Sequence, residues 1–225
     1  MKIQKLLFVL LLMPFLAFSQ NKNCVTLVHQ GYTSVYDTVS DYPVLVSWID
    51  TKNRLVCSDK LERKDNFRPD PKCTTQTNLQ SDYDMINKTH KAKGFPGVDR
   101  GHMCPAADNQ CNKIDINECF YFSNMAAQYH SLNAGDWKKV EVLTRELSIS
   151  YDSVYVWCGS VGVSEKVNGV AIPSKCWKVM YVVKTNTWYA YIFDNTPTKP
   201  QGVEKWTVSV ADVTKLTGFT FTVKK

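Results

Sequence analysis

Past its first twenty residues the chain has no apolar run of the roughly 20 residues that a membrane-crossing helix needs, so no helical span is expected there. It has no internal repeat, no low-complexity tract and no Pro/Gly/Ser-rich linker, which excludes a solenoid and leaves one domain as the simplest organisation. Cys-x-x-Cys is missing, and so is a pair of histidines at helical spacing, so the usual zinc patterns are absent. Histidine itself is scarce: His29, His90, His102 and His130 are the whole complement. Nor is the charge one-sided. Lys and Arg number 27 against 21 Asp and Glu, a balance of +6 that suits a polyanionic partner without demanding one.

What the N-terminus does have is Lys2 and Lys5, a Leu- and Phe-rich run interrupted by Pro14, and the small residues Ala17 and Ser19. That is the layout of an export leader. Residues 1–19 therefore read as a signal peptide, and residues 20–225 as a single secreted domain, periplasmic or extracellular. About 205 residues suffice for one full hydrophobic core. All eight cysteines follow the leader: Cys24, Cys57, Cys73, Cys104, Cys111, Cys119, Cys158 and Cys176. An even number in an oxidising compartment predicts disulfide staples rather than zinc ligands. The connectivity stays open, with a local bridge among Cys104, Cys111 and Cys119 expected.

Residues 24–61 are strand-like, with β-branched and aromatic runs such as Tyr42-Pro43-Val44-Leu45-Val46-Ser47-Trp48-Ile49. A hairpin turn is expected at Asp50-Thr51-Lys52-Asn53, leading into Arg54-Leu55-Val56-Cys57. Residues 62–97 are polar and read as a long irregular loop. Short strands are expected over 99–103 and 119–125, and further strands over 153–158, 176–183 and 187–193. Between them, Trp137, Val140, Leu143, Thr144 and Leu147 recur at spacings of three and four, which predicts one helix over 131–151 capped by Ser131 or Asn133. Strands, a helix and more strands predict an α+β fold with a mainly antiparallel sheet.

His102 stands in VDRGHMCPAADN, on a short strand behind an acid, an arginine and a glycine. On the helix, Asn133, Trp137, Glu141 and Arg145 follow at steps of four, each turned about 40° from the last, and so share one broad face. Without further context they read as an Asn cap and a surface Glu-Arg pair. The segments DRGHMCPAADN and FYFSNMAAQYHSLNAGDWKKVEVLTREL together resemble the DNA/RNA non-specific endonucleases of the ββα-metal, or His-Me finger, superfamily. VYVWCGSVG, VAIPSKCWKVM and YIFDNTP look like the strands that follow the catalytic helix in that family, and NFRPD is a weaker upstream match.

The resemblance implies a ββα-metal core, a magnesium ion for which manganese can substitute, and a DNA or RNA substrate. It makes His102 the general base and Asn133 the side chain that binds the metal. Glu141 matches the acid that holds the metal's water, and Arg145 an arginine that meets the phosphate. Arg100 is the arginine of the signature, with catalytic and substrate-binding roles. Asn124 and Gln128 match polar residues of the strand and turn between, the first grouped with the catalytic residues and the second with substrate binding. Ala127 departs from the family, which usually has Pro there. Related nucleases often form homodimers. Asp99 is expected as a support that orients Arg100 or a nearby loop, His130 as a surface residue, and His90 as part of a basic loop cluster. Tyr83, Phe95 and Tyr129 are candidates to stack on bases. Two rivals stand beside the nuclease: a non-catalytic disulfide-stapled nucleic-acid-binding or adhesion domain, and a structural zinc protein.

Overall fold

Alternation of buried and exposed residues shapes the first strands, β1 (Cys24–Val28) and β2 (Thr33–Asp37), while β3 (Tyr42–Thr51) is buried along most of its length. A computed structural model describes residues 23–74, 79–167 and 169–223, so the leader expected over 1–19 lies outside the described residues. The hairpin expected after Asp50 does not form. Thr51 Oγ1 accepts from the Arg54 amide at 3.1 Å and caps a one-turn helix, α1 (Lys52–Leu55), where a second strand was expected.

The polar segment 62–97 is not loop throughout, since it contains α2 (Gln80–Ala92). Tyr83, Ile86 and His90, at spacings of three and four, form its buried face, and Asp82 accepts from the Leu79 amide at its start. Few apolar residues are needed, because the Asn87 side chain completes the docking. Its amide accepts from Val98 N at 2.7 Å and donates to Val98 O at 3.1 Å, clamping α2 to β4 (Val98–His102).

Next come α3 (Lys113–Glu118), capped by Asn112, and β5 (Met125–Tyr129). The strand expected over 119–125 begins only at Met125, because Phe122, Ser123 and Asn124 form a tight turn first. The single helix expected over 131–151 is broken in two. An irregular turn, Leu132–Trp137, is kinked at Gly135, and α4 (Lys138–Tyr151) follows. A Cβ on Gly135 would lie 2.7 Å from the Pro200 ring, so only glycine lets the turn close against that loop. Neither expected cap is used: Ser131 donates to Thr196 O and Asn133 to Asp99.

The chain ends with β6 (Ser153–Val167), β7 (Val170–Val182), β8 (Thr187–Asp194) and α5 (Val210–Thr217). Six strands form an antiparallel sheet in the order β1-β2-β3-β6-β7-β8, and β4 pairs with β5 in a separate antiparallel ribbon. The α+β class and the mainly antiparallel sheet are as the sequence predicts. Trp137 and Val140 pack onto Val46, Val154, Val156 and Met180, while Val213, Phe219 and Phe221 join Trp157 and Trp177 in a second cluster. A third, of Tyr83, Ile86, Val98, Phe122 and Met125, joins α2 to the ribbon.

One disulfide, Cys57–Cys111, is present among the described residues, closing a long loop for which chain entropy gives about 4 kcal/mol. The expected local bridge is absent. Cys104 Sγ instead takes hydrogen bonds from Arg54 and Asn109, Cys119 Sγ lies 3.2 Å from Ile116 O, and Cys24, Cys158 and Cys176 are also unbridged.

Because Ile86 is fully buried on the face that joins α2 to the ribbon, Ile86→Ala is expected to cost about 2–5 kcal/mol in urea unfolding. A loss under about 0.5 kcal/mol, the level of an exposed site, would show that α2 does not pack there.

Candidate active site

β4 and β5 pair from Val98↔Tyr129 to His102↔Met125, so the ribbon ends at the histidine. A Cβ on Gly101 would lie 2.0 Å from Gln128 Oε1, which explains the glycine before His102: the long amide crosses the strand at that point. Beyond His102 the chain is pinned by Asn124, which is fully buried. Its Oδ1 accepts from Cys104 N at 2.9 Å, and its Nδ2 donates to Cys104 O and Cys119 O at 2.9 and 2.8 Å. The imidazole of His102 is 8% exposed, with Phe120 edge-on at 5.0 Å and Phe67 at 5.5 Å. Its Nε2 has no hydrogen-bond partner among the described residues. Burial, reinforced by the charges of Arg63 and Arg100 and opposed by that of Asp65, pulls the imidazole pKa down to about 3, so the ring is neutral near pH 7 and a weaker base than a free imidazole.

The helix side meets this strand through Trp137, fully buried, whose indole donates to His102 O at 3.3 Å. One turn earlier Asn133 donates its amide to Asp99 Oδ2 at 2.9 Å, which leaves Oδ1 as its oxygen donor. One turn later Glu141 is half-buried, and burial raises its carboxyl to about 7 even against the pull of Lys178. Lys178 is itself buried, its Nζ 4.2 Å from the Trp137 ring. Arg145 donates to Asp108 Oδ1 at 2.9 Å. Behind that pair lies Asp50, fully buried, its carboxyl held well above the usual range by burial and by the charge of Asp108.

Several expected site residues have other surroundings. Gln128 is fully buried and donates to Cys176 Sγ at 3.2 Å, so its side chain has no exposed surface to offer a substrate. Asn124 spends its whole amide on backbone groups, which makes it a positioning residue. Arg100 stacks on Phe67, 3.9 Å from the ring centroid, and donates to Gln80. Asp99 supports His130 and Asn133 rather than Arg100; His130 remains exposed yet bonds to Asp99 at 2.8 Å. His90 is not in a solvated loop. It is buried on α2, between Pro96 O at 2.8 Å and Glu165 at 2.9 Å. Of the three aromatics, Tyr83 is core, Tyr129 stacks on His90 and only Phe95 is largely exposed. For the zinc alternative, no cluster of three or more His, Cys, Asp or Glu with metal-binding geometry occurs among the described residues. Burial also raises the thiols of Cys158 and Cys176, to about 12 and 11.

The family model described as "DNA/RNA non-specific endonuclease" matches residues 16–224. The chain belongs to that family. Among relatives of this endonuclease-family chain, the mitochondrial nuclease EXOG of Homo sapiens is 27% identical over 208 residues, 83% of this chain and 54% of that protein. A nuclease of Nostoc sp. is 29% identical over 175 residues, 71% of this chain and 60% of that protein. The chain thus spans about half the length of the EXOG proteins it matches. Its fold resembles a solved structure of an EndoG/EndoGI complex, with TM-score 0.73 at 23% identity over 87% of this chain and 84% of that one.

In this member of the family, Asp108 and Lys178 were missed as parts of the site. Asp108 lay inside the motif, six residues past His102, but only folding brings it to Arg145. Lys178 had a clearer signal, a lone charge in the apolar run around Cys176-Trp177-Lys178-Val179-Met180. Asp108→Asn removes the charge that holds Arg145. An interaction of this charged kind is worth about 1.5–3 kcal/mol, and a loss of that size is expected in urea unfolding; no measurable change would contradict the pairing.

Proposed function

We propose that the chain is a secreted endonuclease that hydrolyses phosphodiester bonds of DNA and RNA with little sequence preference. The observation that carries this is a buried, neutral His102 whose Nε2 has no partner among the described residues, on a strand that Trp137 ties to the segment bearing Asn133, Glu141 and Arg145. A buried polar atom with no partner is costly, and it is tolerated where a reactant supplies the missing bond. The His102 imidazole takes the proton of the attacking water. Trp137 holds the carbonyl of His102, and Asn124 holds the backbone of Cys104 two residues on. Arg145, steadied by Asp108, and Arg100, stacked on Phe67, offer guanidinium charge to the phosphate oxygens as they gain negative charge.

The donor set suits a hard cation: an amide oxygen of Asn133, freed by the bond from its nitrogen to Asp99, and the Glu141 carboxylate. Magnesium, with manganese as substitute, would be held through Asn133 and would stabilise charge on the phosphate and the leaving oxygen. Contacts that go mostly to phosphate carry little sequence information. Export rests on the leader-like residues 1–19, and a homodimer is compatible with this reading.

The direct test is digestion of single- and double-stranded DNA and RNA with magnesium, manganese or EDTA. His102→Ala is expected to lose at least about 10²-fold in rate while keeping the parent's unfolding midpoint, and Asn133→Ala to need far more metal. A His102→Ala protein retaining most of its magnesium-dependent cleavage would sink the mechanism, and a parent inactive on every substrate would favour a binding domain.

The Glu141 carboxyl carries its own prediction. In the metal-free protein its ¹³C resonance should titrate near pH 7. The folded chain then keeps a proton that the unfolded one releases above about pH 4.3, so this group's contribution to stability falls as pH rises from there to 7. A midpoint below 5 would refute the burial argument.

A further inference from the structure

Of the buried polar atoms that lack a hydrogen-bond partner among the described residues, four gather behind Arg145: Oδ1 and Oδ2 of Asp50, Oδ2 of Asp108 and Nε1 of Trp48. Asp50, near the end of β3, and Asp108, in the tight turn Ala106–Asp108, are both closed to solvent. Their carboxyls are in side-chain hydrogen-bonding contact, and the Trp48 indole is within reach of Asp50. Arg54, on α1, touches both acids: its Nε donates to Asp108 O at 3.1 Å but stands 3.6 Å from Asp50 Oδ1, beyond a hydrogen bond. Its Nη1 donates to Gly31 O at 2.7 Å and its Nη2 to Asn109 Oδ1 at 2.6 Å. Arg54 therefore gives Asp50 charge but no hydrogen bond.

Two carboxylates have only lone pairs to offer, so oxygens that face each other in the interior stay unbonded unless a proton stands between them. Leaving them unbonded is costly. The proton belongs on Asp50. Asp108 Oδ1 already accepts from Arg145 at 2.9 Å, which favours its ionised form, whereas the Asp50 oxygens face no donor but the Trp48 indole. Once protonated, Asp50 donates from one oxygen to Asp108 Oδ2 and accepts from Trp48 Nε1 at the other, and each of the four orphans has a partner. Burial and the like charge of Asp108 push the Asp50 carboxyl the same way, against the pull of Arg54. The charged groups around the pair are Arg54 on α1 and Arg145 on α4, with Glu141 and Lys178 one step further out.

We propose that Asp50 is a positioning residue of the nuclease site: as a carboxylic acid it donates to Asp108 Oδ2 and so fixes the carboxylate whose other oxygen steadies Arg145. This rests on the nuclease reading above, in which Arg145 meets the phosphate. Asp50 itself touches no substrate. Without its hydrogen bond Asp108 can turn about its own side chain, and Arg145 loses its place where charge develops in the transition state. The loss falls on kcat more than on KM.

The test compares parent, Asp50→Leu, which keeps the volume without a donor, and Asp50→Asn, whose amide can still donate to Asp108. A fluorescent single-stranded DNA oligonucleotide, with magnesium present, is the substrate. Asp50→Leu is expected to lower kcat about tenfold with KM changed less than about twofold, the mark of a misplaced group rather than a lost contact, and Asp50→Asn to recover most of that. On an Asp108→Asn background, Asp50→Leu should cost much less than in the parent. Equal kcat for Asp50→Leu and parent, full additivity with Asp108→Asn, or an Asp50→Asn as slow as Asp50→Leu would each overturn the positioning role. In the parent, the ¹³C resonance of the Asp50 carboxyl, assigned through its backbone, should report a protonated acid at neutral pH; an ionised one overturns the proposal even if Asp50→Leu does not fold. Solvent exchange of the Arg145 guanidinium protons reads the position without cleavage, and should quicken in Asp50→Leu but not in Asp50→Asn. If the parent cleaves nothing yet shows both signatures, the nuclease reading fails and the hydrogen-bonded pair stands.

Discussion

The indole of Trp137 is the joint on which the site is assembled. Fully buried, it packs against Phe193, lies beside the Nζ of Lys178, and donates its one hydrogen bond to the carbonyl of His102. Sheet, helix and ribbon therefore meet at a single side chain. An aromatic ring of that size dominates core packing, and burial without a partner for its N–H would be costly. That requirement fixes how far α4 stands from β4.

Around this joint the charges are arranged so that few are left uncompensated. Asp108 pairs with Arg145, Lys178 and Arg145 act on Glu141, and Arg54 lies 3.6 Å from Asp50, whose carboxyl the like charge of Asp108 pushes up. A low-dielectric setting makes each of these interactions strong and each deletion expensive. The same setting leaves His102 neutral and gives Glu141 a carboxyl that is near its ionisation midpoint at neutral pH. Stability and chemistry thus draw on one feature, the exclusion of water from the ribbon–helix interface.

Local pattern carried much of the fold. The strands around Tyr42–Thr51 and Thr187–Asp194 were legible because β-branched and aromatic residues cluster between turn formers, and α4 because its apolar residues repeat at three and four. α2 was hidden, since of its four buried residues Asp82 and His90 are polar and only Tyr83 and Ile86 are not, and Asn87 supplies the rest of the docking through backbone bonds. The kink at Gly135 was hidden too. It answers to Pro200, more than sixty residues away, and no local propensity encodes that contact.

By itself the sequence determined the chemistry on offer: a histidine behind Asp-Arg-Gly, and an Asn, a Glu and an Arg at steps of four, the combination by which the family resemblance is carried. Only the tertiary structure decided which of those groups are free to act. Gln128 and Asn124 were consumed by the fold, Arg145 gained a buried partner in Asp108, and among the described residues Cys57 pairs with Cys111, which the sequence had left open. The reason is physical. A motif records residue type and spacing, whereas availability depends on which hydrogen bonds and charges the rest of the chain has already satisfied, and those partners come from elements far apart in sequence.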